Sequence, residues 1–164
     1  MNPQRIAEEF RSVFDPVADL RFHELPAVNG FNSAAVVLPR IVVRASFRPH
    51  AGSANIGVAE VSVIVESHAG GDAADEAAAP VNAGEAAAAH EARGQLVREK
   101  LFGLAEDSGS LAKASVIAAI NARGNLEVQP RYVPTGDTGL ERDGDRFRTT
   151  LRLKAGVLVK SASL

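Results

Sequence analysis

The stretch from Arg146 to Lys160 constrains this chain more than any other. Phe147, Thr149, Leu151, Leu153, Ala155, Val157 and Val159 occupy alternate positions, with Arg146, Arg148, Arg152, Lys154 and Lys160 between them. Successive side chains of a strand point to opposite faces, so this pattern describes a long strand with one buried and one wet side. Such a strand needs partners of the same kind, and two precede it. Ile41, Val43, Ala45 and Phe47 alternate with Arg40, Arg44 and Ser46; Val61, Val63 and Val65 alternate with Glu60, Ser62 and Glu66. Between these two, Gly52, Asn55 and Gly57 supply the turn of an antiparallel hairpin. A further strand is predicted over residues 126–133, where Leu126, Val128 and Tyr132 share a face.

Helices fill the remainder. Asn2 and Pro3 open the first by ordinary start chemistry. Ile6, Phe10, Val13, Phe14 and Val17 follow at helical spacing. A second helix, beginning near Glu85, aligns His90, Gly94, Val97, Leu101 and Leu104, with Gly94 placed for close packing on the sheet. A third, over 111–122, is anchored by Val116, Ile117 and Ile120 and stopped by Gly124. The order predicts a single α+β domain spanning 1–164: a four-stranded, mainly antiparallel sheet with helices packed on one face. Residues 21–32 read as an irregular connection. Residues 72–84, rich in Ala and acid without large apolar anchors, read as a mobile loop. Residues 134–145, with Gly136, Gly139 and Gly144, read as a long hairpin loop.

Composition narrows the function. With no cysteine, disulfides, thiolate metal sites and a cysteine nucleophile are excluded. No apolar run approaches the roughly 20 residues of a membrane helix. The opening residues lack the pattern of a signal peptide, so a soluble, non-exported protein is expected. A net charge of −2 does not suit a chain that neutralises nucleic acid as a whole, and one Tyr with no Trp leaves few stacking platforms.

His68 with Asp72, Asp75 and Glu76 fits no metal-loop spacing and reads as a solvated acidic loop. Asp137, Glu141, Asp143 and Asp145 lack the distal Glu of a calcium loop. His90, on an apolar stripe, reads as a packed or interface histidine. Neither a phosphate-cradling glycine loop nor a nucleophile elbow is present. No catalytic, cofactor-binding or metal-ligating residue is therefore predicted. What remains is charge placement. Arg146, Arg148, Arg152 and Lys154 on the last strand read first as the wet side of a sheet, but they also suit an acidic partner; with Asp72, Asp75 and Glu76 in the acidic stretch they are the candidate complementary surfaces for subunit or partner contacts. Charge reversal at Arg148 and Arg152 is expected to weaken assembly without unfolding the monomer.

In order along the chain, several segments carry a resemblance. They are the amphipathic opening helix from Arg5 to Phe14, the strand Ile41-Val42-Val43-Arg44-Ala45 after a proline, and the strand from Val61 to Val65. A helix beginning near Ala89-His90-Glu91, a short helix ending Ala118-Ala119-Ile120-Asn121, and the closing strand Phe147-Arg148-Thr149-Thr150-Leu151-Arg152-Leu153 complete it. Together they resemble the tail terminator proteins of tailed phages, which form the neck ring at the end of the tail. The resemblance implies a structural virion protein without catalytic residues or cofactors. Its partners would be itself, as a homo-hexameric ring, the tail tube protein, and a head-completion or connector protein. The ring would cap the tube, stop its polymerisation and join it to the head, with no membrane and with DNA only as passing cargo. It would be assembled in the host cytoplasm and reside at the tail neck. Two other classes stay open: a small-ligand-binding or catalytic α+β protein, and a nucleic-acid-binding module using the cations of the last strand.

Overall fold

The computed structural model describes residues 3–32, 36–69, 83–103 and 110–160. Among the described residues the helices and strands follow in the order α1 (Pro3–Arg11), β1 (Ala27–Asn29), β2 (Arg40–Pro49), β3 (Ile56–His68), α2 (Ala83–Phe102), α3 (Ser110–Ala122), β4 (Leu126–Asp137), β5 (Glu141–Asp143) and β6 (Arg146–Val159). The architecture is α+β. The sheet has six strands rather than four, in the order β1-β2-β3-β6-β4, with β5 beside β6. All pairings are antiparallel except that of β1 with β2.

The periodicity of two places odd-numbered residues of β2, β3 and β6 on one face, and all three helices cover that face. Ile41, Val43, Val61, Val63, Val65, Leu151 and Leu153 are buried there against Ile6, Phe10, Val97, Leu101, Val116 and Ile120. The helices are held by polar clamps as well as by packing. Glu9 of α1 is buried and accepts hydrogen bonds from Arg123 Nε (2.7 Å) and Asn125 Nδ2 (2.9 Å) in the turn between α3 and β4. Asn121 of α3 accepts from the Val128 amide (2.6 Å) and donates to its carbonyl (3.3 Å), so its side chain acts as a fragment of strand on the edge of β4. Tyr132 Oη donates to the Leu101 carbonyl at 3.2 Å, joining β4 to α2.

Several sequence expectations need correction. Val17, read as part of the first apolar stripe, is 89% exposed. It lies beyond Pro16, past the 3-10 turn Ser12–Phe14 that buries Val13 and Phe14. The connection at 21–32 contains β1, because Ala27, Val28 and Asn29 pair in register with Ile41, Val42 and Val43. The long loop at 134–145 is mostly strand. β4 runs on through Pro134 to Asp137, and β5 pairs Glu141 to Asp143 with Arg148 to Arg146. The true hairpin is the two-residue loop Gly144-Asp145, where Gly144 adopts φ 63° as a tight primed turn requires. α2 starts at Ala83, so the end of the predicted mobile loop is helical; residues 72–82 and Leu104 lie outside the described residues. Gly94 is buried, yet an added Cβ would meet the Arg98 guanidinium first (3.4 Å), so close packing on the sheet is not what this glycine serves. Gly57 is the glycine that packing demands: a Cβ there would lie 2.2 Å from the Arg48 carbonyl oxygen.

Candidate functional site on the open face of the sheet

Even-numbered residues of β2, β3 and β6 point away from the helices. Strand register arranges them in rows that run across the sheet. The first row is Arg40, Glu66, Arg148 and Glu141; the second is Val42, Ile64 and Thr150; the third is Arg44, Ser62, Arg152 and Gly136; the fourth is Ser46, Glu60, Lys154 and Val133. Directly opposite residues on one face have Cβ atoms about 4.5–5.5 Å apart, so each row is a chain of side-chain neighbours.

The first row is engaged in ion pairs. Glu66, read from the sequence as a solvent-facing residue, keeps only 7% of its side chain exposed. Arg40 Nε donates to it at 3.0 Å, and Arg148 and Arg146 approach to 3.5 and 3.7 Å. Arg148 also pairs with Asp143 at 3.0 Å. Two of the four cations predicted to form an interface, Arg146 and Arg148, therefore serve the protein's own carboxylates. Reversing Arg148 would set a third carboxylate beside Glu66 and Asp143, so this reversal is expected to cost folding stability as well. In the fourth row Lys154 meets Glu60 at 3.3 Å across an exposed pair.

The third row differs. Its central residue is serine, and among the described residues neither Arg44 nor Arg152 has an ion-pair partner. Both are exposed. Of the predicted interface cations, Arg152 alone is left facing outward without a partner, and Arg44, which was not singled out, joins it. The missed signal was the alternation on β2 that put Arg44 on the same face as β6's cations. Asp72, Asp75 and Glu76 lie outside the described residues.

The acidic turn around β5 is engaged too. Asp137 accepts from Arg98 Nε (2.6 Å) and Nη2 (3.0 Å), and this guanidinium holds its carboxyl below the usual range. Among the described residues no three His, Asp or Glu side chains converge as a metal ligand set.

On the covered face, the fold places His90 beside hydroxyls that its sequence neighbourhood did not offer. Its Nδ1 lies 2.9 Å from Ser67 Oγ and its Nε2 2.7 Å from Thr149 Oγ1, all three residues being buried. Burial, then the positive charges of Arg93 and Arg98, lower its pKa to about 4, so the ring is neutral near pH 7. A neutral imidazole donates at one nitrogen and accepts at the other, which lets it bridge two hydroxyls. A serine beside a histidine could in principle serve as a nucleophile. Here the pair is sealed between α2 and the sheet, and the arrangement joins α2 to β3 and β6. This agrees with the reading of His90 as a packed histidine.

Comparison with known protein families and with curated proteins finds no match. The chain is thus defined by its architecture: an α+β protein with helices on one face of a mixed sheet and a second face that is buried around Arg40, Val42, Glu66 and Thr150 and exposed around Arg44, Glu60, Arg152 and Lys154.

Proposed function

We propose that this protein is a structural subunit of a phage-type particle, a tail terminator that forms a closed ring on the tail tube. The observation that carries the reading is the order of elements. The segments on which the resemblance rests fall in helices and strands in the same order: α1 and the 3-10 turn after it over Arg5 to Phe14, β2 and β3 at Ile41 to Ala45 and Val61 to Val65, α2, which begins at Ala83 and not near Ala89, α3 up to Ala122, and β6 through Phe147 to Leu153. The sheet adds support. It ends in two unlike edges, β2 beyond its three pairs with β1 and the proline-bearing β4, which suits the head-to-tail contacts of a ring. In this role the protein stops tube growth, joins the tail to the head connector and turns over no substrate. The described helices include none long and apolar enough to cross a membrane.

The test is imaging with mass measurement. Light scattering and electron microscopy of the purified protein, with and without tail tubes, should give six-fold rings seated on tube ends. Tubes of uncontrolled length should appear when the protein is omitted. Normal tails from particles lacking it would overturn the proposal.

A further inference from the structure

The row Arg44-Ser62-Arg152 lacks the acid that the first and fourth rows contain. In the row of Glu66 a carboxylate stands between two arginines, and in the row of Glu60 a carboxylate stands beside Lys154. At the equivalent position of β3, Ser62 leaves two guanidinium groups flanking a hydroxyl, on strands about 10 Å apart. Each arginine stem lies along a glycine. An added Cβ at Gly30 would fall 2.7 Å from Arg44 Cγ, so the backbone there presses on the stem; a Cβ at Gly136 would lie 3.7 Å from Arg152 Cβ. These contacts orient the two side chains while their heads stay exposed. A groove of about 510 Å³ runs over the row, bounded by Phe31, Thr135 and Lys154.

We propose that this groove is a binding site for a phosphate-bearing ligand, with Arg44 and Arg152 as its two forks and Ser62 as the donor between them. Three cations, Arg44, Arg152 and Lys154, face one carboxylate, Glu60, which leaves two positive charges. A phosphomonoester carries close to two negative charges at pH 7 and three acceptor oxygens that can be approached from both sides. A single carboxylate is satisfied by one guanidinium fork, so it would leave the second arginine unused. The ring of Phe31, 51% exposed at the groove wall, offers a flat apolar face to a base or similar group attached to the phosphate. The site lies within one chain and does not depend on ring formation.

Binding should be measured by calorimetry on the full chain at low and physiological salt. The probes are inorganic phosphate, a nucleoside monophosphate, a single-stranded oligonucleotide without terminal phosphate, and a poly-glutamate peptide. Arg44→Gln and Arg152→Gln should each weaken phosphate-ligand binding about tenfold or more, as loss of a charge-assisted hydrogen bond does. Ser62→Glu, which supplies the missing acid internally, should abolish binding in a chain that stays folded. Gly30→Ala should weaken binding through Arg44, and Lys113→Gln on α3 should leave it unchanged. Preference for the monophosphate identifies a free phosphomonoester as the source; binding of the oligonucleotide identifies a nucleic-acid backbone. The proposal is overturned if phosphate ligands bind the arginine variants as well as the natural chain, or if poly-glutamate binds more tightly than every phosphate probe.

Discussion

Replacing Glu66 by alanine should cost far more stability than the same change at Glu60, although both are acids on one face of one strand. The side chains of Glu66 and Arg40 are 7% and 10% exposed and meet at 3.0 Å. Removing the carboxylate that Arg40 and Arg148 share takes away the acid that faces both guanidinium groups, and breaking a buried pair costs about 3–5 kcal/mol. Glu60 and Lys154 are more than half and half exposed, and such pairs contribute about 0.2–1 kcal/mol. For a chain of this length the Glu66 change corresponds to a drop in Tm of roughly 6–20 °C. Urea denaturation at pH 7 followed by circular dichroism would measure both variants. The Glu60 effect should shrink in high salt, because exposed charges are screened, while the Glu66 effect should persist. A double replacement, Glu66→Leu with Arg40→Met, should recover much of the loss by removing both charges together. Equal costs for Glu66→Ala and Glu60→Ala, both below 1 kcal/mol, would refute the reasoning.

Two further outcomes follow from the covered face. Leu151→Ala, at a position 1% exposed in the centre of the sheet, should cost about 2–5 kcal/mol; a loss below about 1 kcal/mol in the same denaturation assay would mean that the strand faces the other way. His90 should make stability depend on pH. The unfolded ring takes up its proton near pH 6.5 and the folded one only near 4, so between these values the unfolded state binds more protons. Its contribution is therefore complete above about 6.5, falls with pH to about 4 and then levels off, for a total on the order of 3 kcal/mol. His90→Gln, which can still donate and accept, should flatten that part of the stability profile; an unchanged slope would show that the histidine does not titrate with folding.

What the sequence disclosed follows from how local each signal is. The alternation in β2, β3 and β6 needs only neighbouring residues, and the core positions Phe10, Val43, Val63, Val97, Leu101, Leu151 and Leu153 are all buried as their periodicity predicts. β1 is three residues long and exists only through its pairing with β2, some 14 positions further along, so no local pattern announces it. β4 was cut short at Val133 because Pro134 and Gly136 signal a loop. They are tolerated because β4 is an edge strand, where a missing N–H need not break a ladder. The site was legible by half. Periodicity put Arg146, Arg148, Arg152 and Lys154 on one face. Which of them remain without partners depends on acids from β3 and β5, which register alone brings beside them. His90 met the same limit, with hydroxyl partners 23 and 59 residues away.

The open face therefore divides its arginines by the residue that β3 sets between them. Where β3 presents Glu66, the arginines on either side are paired with it, Arg40 and Glu66 are buried, and the loss of that carboxylate is felt as stability. Two rows along, β3 presents Ser62, and similar arginines stand exposed over a hydroxyl too weakly charged to hold them. A carboxylate at Ser62 would join both arginines in internal pairs, so the absence of one leaves a surface less stable than the same backbone could support. Functional surfaces commonly forgo stability in this way. This separation makes the two properties independently testable. Changes at Glu66 should move denaturation midpoints, and changes at Ser62, Arg44 and Arg152 should move ligand affinity in a chain that remains folded. The ring reading makes a third, separate demand, because it rests on the order of elements, with the unlike strand edges in support, and not on either row. A ring that assembles normally with Arg44 and Arg152 replaced would place the anion groove outside the subunit contacts, free to meet its ligand on the assembled particle.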